Sequence, residues 1–111
     1  MARHQVYFKW EIPSSVVKIV NSICADYDRR EKLISCSKVT GDVLEHLIKL
    51  NAVVDDALAD IEPGIRREVL NDITEGRGYY KSGCCVIMDK NSYYRRRRKL
   101  VHDIAVAINL I

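Results

Sequence analysis

Apolar side chains recur at helical spacing along most of the chain, beginning just after the Pro-Ser-Ser segment at positions 13–15. The first such stripe is Val16, Ile19, Val20, Ile23, Cys24 and Tyr27. Residues three and four positions apart share one face of an α-helix. Because serine favours the N-cap position, Ser14 or Ser15 is predicted to cap a helix over about 15–34.

A different pattern precedes this helix. Phe8, Trp10 and Ile12 alternate with Lys9 and Glu11, which is typical of a short strand or an extended arm. No second strand is predicted to pair with it. The pattern therefore favours an extended N-terminal arm that packs on the helices or pairs with another subunit.

The second predicted helix carries a heptad stripe. Thr40 is its predicted cap, and it should reach about Ile61. The stripe consists of Leu44, Leu47, Asn51, Val54, Leu58 and Ile61. It indicates either packing within the chain, which is favoured, or a dimer seam in which the single Asn sets the register. The acids Asp55, Asp56, Asp60 and Glu62 are interpreted as a solvated face rather than a catalytic cluster.

Two further helices complete the predicted fold. Pro63 suits the first turn of the third helix, Gly76 suits its C-terminal cap, and its core positions are Ile65, Val69, Leu70 and Ile73. Residues 79–88 have low helical propensity, and one short helical turn is predicted there. Asp89 is the predicted cap of a fourth helix that runs to the C-terminus.

These elements predict an all-α fold, a single small domain over residues 1–111 with about four to five helices. Residues 1–13 form the arm and residues 14–76 the helical core or oligomerisation part. Residues 77–111 form a basic part that resembles a helix-turn-helix. Apolar residues make up 48% and charged residues 30% of the chain, as in ordinary globular domains.

Charge is distributed unevenly along the chain. Residues 1–76 contain ten Lys/Arg and thirteen Asp/Glu, whereas residues 77–111 contain eight Lys/Arg and two Asp. The C-terminal part therefore carries a net charge of +6. Such asymmetry indicates a surface that binds a polyanion.

The predicted fourth helix has an apolar and a basic side. At 100° per residue, one side collects Tyr93, Arg97, Leu100, Val101, Ile104, Ile108 and Ile111. The other collects Asn91, Arg95, Arg98, Lys99 and His102. The apolar side strengthens toward the C-terminus, so we expect the second half of the helix to be anchored in the core and the first half to present guanidinium groups outward.

A basic helix of this kind fits the major groove of DNA, where Arg pairs with guanine and Arg or Lys neutralises phosphates. The candidate DNA-binding residues are Lys90, Asn91, Ser92, Tyr94, Arg95, Arg96, Arg98, Lys99 and His102. Such a helix can also bind RNA, acidic lipid or a calmodulin-like protein, or it can be a solvated face. Double-stranded DNA is the favoured partner. A homodimer is expected because domains with one recognition helix commonly bind paired half-sites.

The segment 86–100 also resembles a known family. Met88, Asp89 and Ser92, followed by Tyr93-Tyr94-Arg95 and a basic run, are similar to the end of phage-encoded transcriptional regulators of the ArpU/RinA type. Residues 54–58 and 63–73 resemble the helix that precedes their motif, so the resemblance covers about residues 50–111. It implies a helix-turn-helix like that of sigma-factor region four, a role in phage or prophage transcription, and RNA polymerase as a candidate partner.

Two nearby functions and one of another class are alternatives. An excisionase-like recombination directionality factor or a small packaging subunit would also use a small basic DNA-binding domain. A helical protein–protein adaptor would use the heptad stripe and the Phe8/Trp10 arm. Salt-sensitive binding to duplex DNA would separate the DNA-binding functions from the protein–protein adaptor.

Catalysis, cofactors and metals are not expected. The chain lacks a phosphate loop and a metalloprotease histidine pair, and no small-molecule substrate is predicted. The spacing of Cys24, Cys36, Cys84 and Cys85 does not match a zinc site, so the cysteines are interpreted as small apolar side chains. No apolar run approaches the roughly 20 residues of a membrane span, and the N-terminus does not resemble a signal peptide. We therefore expect a cytoplasmic protein, and the resemblance to phage-encoded regulators implies a bacterial cell.

Overall fold

A computed structural model describes residues 12–111, and within them every regular element is helical. The α-helices are α1 Ser14–Ala25, α2 Tyr27–Ser35, α3 Gly41–Leu58, α4 Arg66–Glu75 and α5 Lys90–Ala107. Short 3₁₀ turns lie at Pro63–Ile65, Tyr79–Lys81 and Gly83–Val86. The all-α prediction is confirmed, while the predicted arm lies outside the described residues except for Ile12 and Pro13. No helix in the described part of the chain is long and apolar enough to span a membrane.

The first predicted helix is present but differs at its start and middle. It begins at Ser14, so both serines lie inside it and neither is the cap. Pro13 takes that position, and its carbonyl accepts hydrogen bonds from the N–H groups of Val16 (3.0 Å) and Val17 (3.1 Å). At Asp26 the backbone turns to φ −93° and ψ 2°, which divides the predicted helix into α1 and α2.

The heptad stripe of α3 packs within the chain. Leu47, Val54, Leu58 and Ile61 are buried and Leu44 is half-buried, so this stripe does not form an exposed dimer seam. The helix ends at Leu58 rather than Ile61. Thr40 occupies the predicted cap position in an extended conformation, but its side chain makes no capping hydrogen bond.

Asn51 has a partner inside the chain. Its side-chain oxygen accepts a hydrogen bond from Nε of Arg30, and its amide donates to Oε1 of Glu31 at 2.7 Å. Arg30 is 2% exposed and also donates to the carbonyl of Ile23. The Asn therefore fixes α3 against α2, where a buried polar group requires hydrogen-bonding partners.

The third predicted helix is confirmed in its core and its end. Ile65, Val69, Leu70 and Ile73 are all buried. Pro63 opens a 3₁₀ turn that leads into α4. Gly76 closes α4 with φ 69°, a left-handed conformation that glycine adopts without steric cost.

The apolar side of α5 completes the core. Tyr93, Leu100 and Ile104 are at most 1% exposed and Val101 is 6% exposed, as the helical spacing predicted. Ile111 is 50% exposed, contrary to the prediction, because α5 ends at Ala107 and the 100° spacing no longer applies. The core thus holds the middle of α5 against α1 and α3.

Candidate nucleic-acid interface

The start of α5 is defined by its cap. Asp89 accepts a hydrogen bond from the backbone N–H of Ser92 at 3.3 Å, as predicted. Hydrogen bonding to Ser92 lowers the pKa of the Asp89 carboxyl below its ordinary value. Lys90 and Asn91 are exposed in the first turn, which is where recognition helices usually meet base edges.

A buried hydrogen-bond cluster anchors this end of α5 to α4. The Tyr93 hydroxyl donates to Oδ2 of Asp72 at 2.8 Å, and Nε of Arg77 donates to Oδ1 at 3.0 Å. Tyr93 and Asp72 are both 0% exposed. Sequence reasoning missed Asp72, although a polar residue three positions after the core residue Val69 is a signal that could have found it.

Tyr94 belongs to the support of the interface. Its hydroxyl accepts a hydrogen bond from the backbone N–H of Tyr79 at 3.0 Å. A side chain at Gly78 would place its Cβ 3.0 Å from that hydroxyl, so the loop approaches α5 closely there. Tyr94, a predicted DNA-binding residue, is half-buried and holds the loop against α5.

The loop 79–88 forms two 3₁₀ turns instead of the α-helix that opens a helix-turn-helix. The Tyr79 hydroxyl donates to the carbonyl of Met88 at 2.7 Å and lies 3.3 Å from that of Cys85. Ser82 accepts from the N–H of Cys84 at 3.0 Å, and both residues are buried. The glycine content and weak propensities of this segment account for the shorter turns.

The predicted cations of α5 fall into two groups, and the first group is paired. Arg96 donates to Glu62 at 2.8 and 3.0 Å. Lys99 pairs with Asp60 at 2.6 Å and with Asp103 at 2.7 Å. Hydrogen bonding to these cations lowers the pKa of Asp60 and of Glu62. The pairs with Asp60 and Glu62 join α5 to the segment that follows α3, and they show that these two acids of the predicted solvated face have partners.

The second group is open to solvent. Arg95 and Arg98 are exposed, and neither makes an ion pair or a side-chain hydrogen bond with the part of the chain that the structure describes. Lys90 lies 5.4 Å from the ring centroid of Tyr80. These side chains and Asn91 leave three cations and an amide on the solvent side of the first half of α5.

His102 and Arg97 border this surface. His102 is half-buried, with Nδ1 3.3 Å from Oδ1 of Asp103. Arg97 reaches inward, donating to the carbonyl of Arg77 and to the Tyr93 hydroxyl at 3.0 Å. The predicted outward placement of His102 is therefore only partly realised.

The cysteines do not form a cluster. Among the described residues there is no group of three His, Cys, Asp or Glu side chains that could hold a metal ion. Cys24 and Cys84 are buried, and burial raises the pKa of both thiols, that of Cys24 to about 11. These two thiols pack as small apolar groups.

Comparison with known proteins adds no family to this geometry. No family model matches the chain, and neither a curated protein nor a solved structure matches it significantly.

Proposed function

We propose that this protein binds duplex DNA by placing the first half of α5 in the major groove. The observation that carries the proposal is the exposed set of Lys90, Asn91, Arg95 and Arg98 on a helix whose other side is buried. Arg can form paired hydrogen bonds to guanine and Asn to adenine, while Lys neutralises phosphate.

The contacts that hold α5 in place favour DNA recognition by its exposed side. Tyr93 and Asp72 fix the helix from below, and the Arg96–Glu62 pair fixes it at the side. A helix held by buried contacts loses little conformational freedom when it binds a ligand, which leaves more of the interaction energy as affinity. The solvent-facing cations are thus presented on a rigid element.

The biological role that we propose is regulation of phage or prophage transcription in the bacterial cytoplasm, with RNA polymerase as a candidate partner. It rests on the resemblance of residues 86–100 to regulators of the ArpU/RinA type. Excisionase-like and packaging roles use the same chemistry and are alternatives within the proposal. The burial of the α3 stripe counts against one of the two surfaces of the adaptor alternative, and the other, the Phe8/Trp10 arm, lies outside the described residues.

We propose a homodimer as the binding species, through a groove of about 380 Å³ between α3 and the end of α5. Leu50, Val53 and Ile108 supply apolar surface there, and Lys49 and Asp56 lie at its polar edge. Around a twofold axis near Val53, Lys49 of each subunit would face Asp56 of the other. Such self-complementarity is what an isologous interface needs.

The test of DNA binding compares two double variants with equal loss of charge. Arg95→Ala/Arg98→Ala removes the solvent-facing arginines of α5. Arg29→Ala/Arg67→Ala removes two arginines that are 61% and 56% exposed and paired with Asp26 and Asp28.

Binding to duplex DNA should weaken strongly in the α5 variant, by about 1–3 kcal/mol for each arginine that reads a base. An arginine that contacts phosphate should instead reduce the salt slope by about one. The control variant should bind almost as wild type. Equal losses in the two variants, or no binding by the wild type, would refute the proposal.

A further inference from the structure

Three large apolar or aromatic side chains are exposed in the loop that leads into α5. Tyr80 is 77% exposed, Val86 is 83% exposed and Ile87 is 62% exposed. The buried Ser82 and Cys84 and the Tyr79–Met88 hydrogen bond hold the same loop in place. The small and polar residues of the loop thus hold it in place, while its branched aliphatic residues are exposed to water.

One of these side chains, Tyr80, lies against a cation, and further cations lie close by in the chain. Lys81 is exposed in the same loop, and Lys90 lies against the Tyr80 ring. Arg95 follows one to two turns further along α5. An apolar surface with a basic border complements a polyanion that carries apolar groups between its charges.

Duplex DNA is a polyanion that carries apolar groups between its charges. Val and Ile side chains neither donate nor accept hydrogen bonds, so they can recognise only apolar groups. At the base edges of the major groove, the apolar group is the C5-methyl of thymine. Removal of a methyl group and an aliphatic side chain from water is favourable.

We propose that Val86 and Ile87 form an apolar reading element that contacts thymine methyl groups beside the base pairs read by α5. The inference rests on the proposed DNA binding and adds a class of base pair, A·T, to it. The loop and the helix would then recognise adjacent positions of one site, the helix by hydrogen bonds and the loop by apolar contact.

The experiment uses DNA that differs only in the methyl group. The same duplex DNA fragments of mixed sequence are amplified with dTTP or with dUTP. The full-length protein is then titrated with each DNA. The wild type should bind thymine DNA about fourfold more tightly for each methyl group that it contacts. In Val86→Ala/Ile87→Ala this ratio should fall to about one.

Val43→Ala/Ile48→Ala is the matched control, because these aliphatic side chains are 61% and 47% exposed on α3. It should keep the wild-type ratio, and thermal melts should show that all three proteins are folded. A wild type that binds both DNAs equally, or a loop variant that keeps the ratio, overturns the apolar reading element while DNA binding stands. Absence of binding to either DNA contradicts the proposed function and the inference together.

Discussion

Asp72 illustrates how one residue determines the geometry around α5. Burial alone would raise the pKa of its carboxyl, but hydrogen bonds from Ser82, Tyr93 and Arg77 outweigh burial and lower that pKa. The group is therefore ionised in the folded protein and serves as the acceptor for donors from the loop and from α5. A buried charge with such partners is costly to leave half-paired.

Asp72→Asn should destabilise the fold by about 1.5–3 kcal/mol at neutral pH, since the neutral amide weakens the hydrogen bonds that the buried carboxylate accepts from Tyr93 and Arg77. Because the folded-state pKa of Asp72 is depressed, its contribution is present above the unfolded value of about 3.9 and is lost as the pH falls through the folded value. The difference in the free energy of unfolding between the wild type and the variant should therefore become smaller below about pH 4. Urea unfolding at pH 7 and pH 3 measures both effects, with Glu75→Gln as an exposed control.

Ile104 and Val106 provide a matched pair of aliphatic residues on α5. Ile104 is 0% exposed and Val106 is 47% exposed. Ile104→Ala should cost about 2–5 kcal/mol of stability, whereas Val106→Ala should change it by less than about 0.5 kcal/mol. Thermal melts test this prediction. If Val106→Ala melted earlier than Ile104→Ala, the orientation of α5 would be wrong, and the surface assigned to DNA with it.

At the level of elements, α5 packs on α3 through the core and is joined through charge to the segment that follows α3. Glu62 and Asp60 hold Arg96 and Lys99, which are separated from them by more than thirty positions in the chain. These acids therefore compete with any polyanion for two of the predicted DNA-binding cations. Arg95 and Arg98 have no such competitor among the described residues.

Asp60→Asn/Glu62→Gln should therefore strengthen DNA binding and steepen its salt dependence by about 0.9 for each new phosphate contact. Asp42→Asn/Glu45→Gln, at the exposed start of α3, makes the same change of charge far from these pairs. Binding titrations at several salt concentrations compare the two variants. Equal gains in both would mean that Arg96 and Lys99 do not approach the DNA.

The elements that were predictable are those with periodic apolar positions. The stripes of α1, α3, α4 and α5 identified the helices and most of the core residues, because burial on one face imposes that spacing. Ile19 of the first stripe is an exception, since it is 46% exposed. The caps at Asp89 and Gly76 followed from local chemistry. The break at Asp26 did not, because the apolar stripe continues across it to Tyr27.

The solvent-facing side of α5 was predictable in part, but the partners of its side chains were not. The helical spacing of 100° per residue placed Arg95 and Arg98 on the outward side, and both are exposed in the structure. It could not show that Arg96 and Lys99 pair with acids of another element, since periodicity contains no information on partners distant in sequence. The role of Tyr94 in holding Tyr79 was hidden for the same reason.

At the level of the whole molecule, the α3–α5 groove is separate from the surface proposed to bind DNA. The groove is lined by residues of α3 and by Ala107 and Ile108 at the end of α5, whereas the DNA-facing residues lie in the first half of α5. A pair of subunits joined at the groove would therefore keep both basic surfaces open. Recognition of two half-sites about one helical turn apart requires such an arrangement.

Light scattering at tens of micromolar should give a mass near twice the 12.8 kDa of one chain. Lys49→Glu should lower that mass because it opposes Asp56 of the other subunit with a like charge. Adding Asp56→Lys should restore the dimer by exchanging the two charges. A wild-type monomer, or a charge exchange that fails to restore pairing, would contradict the proposed interface.

The buried contact of Arg30 with Asn51 also has a consequence for the ancestry of this protein. A descendant that replaced only Asn51 would leave Nε of the buried Arg30 without its acceptor, and one that replaced only Arg30 would leave the side-chain oxygen of Asn51 without its donor. Either step would be removed by selection, whereas a simultaneous exchange for two apolar side chains of similar volume would be tolerated. We therefore expect the two positions to be inherited together, so that each lineage has either both polar residues or neither.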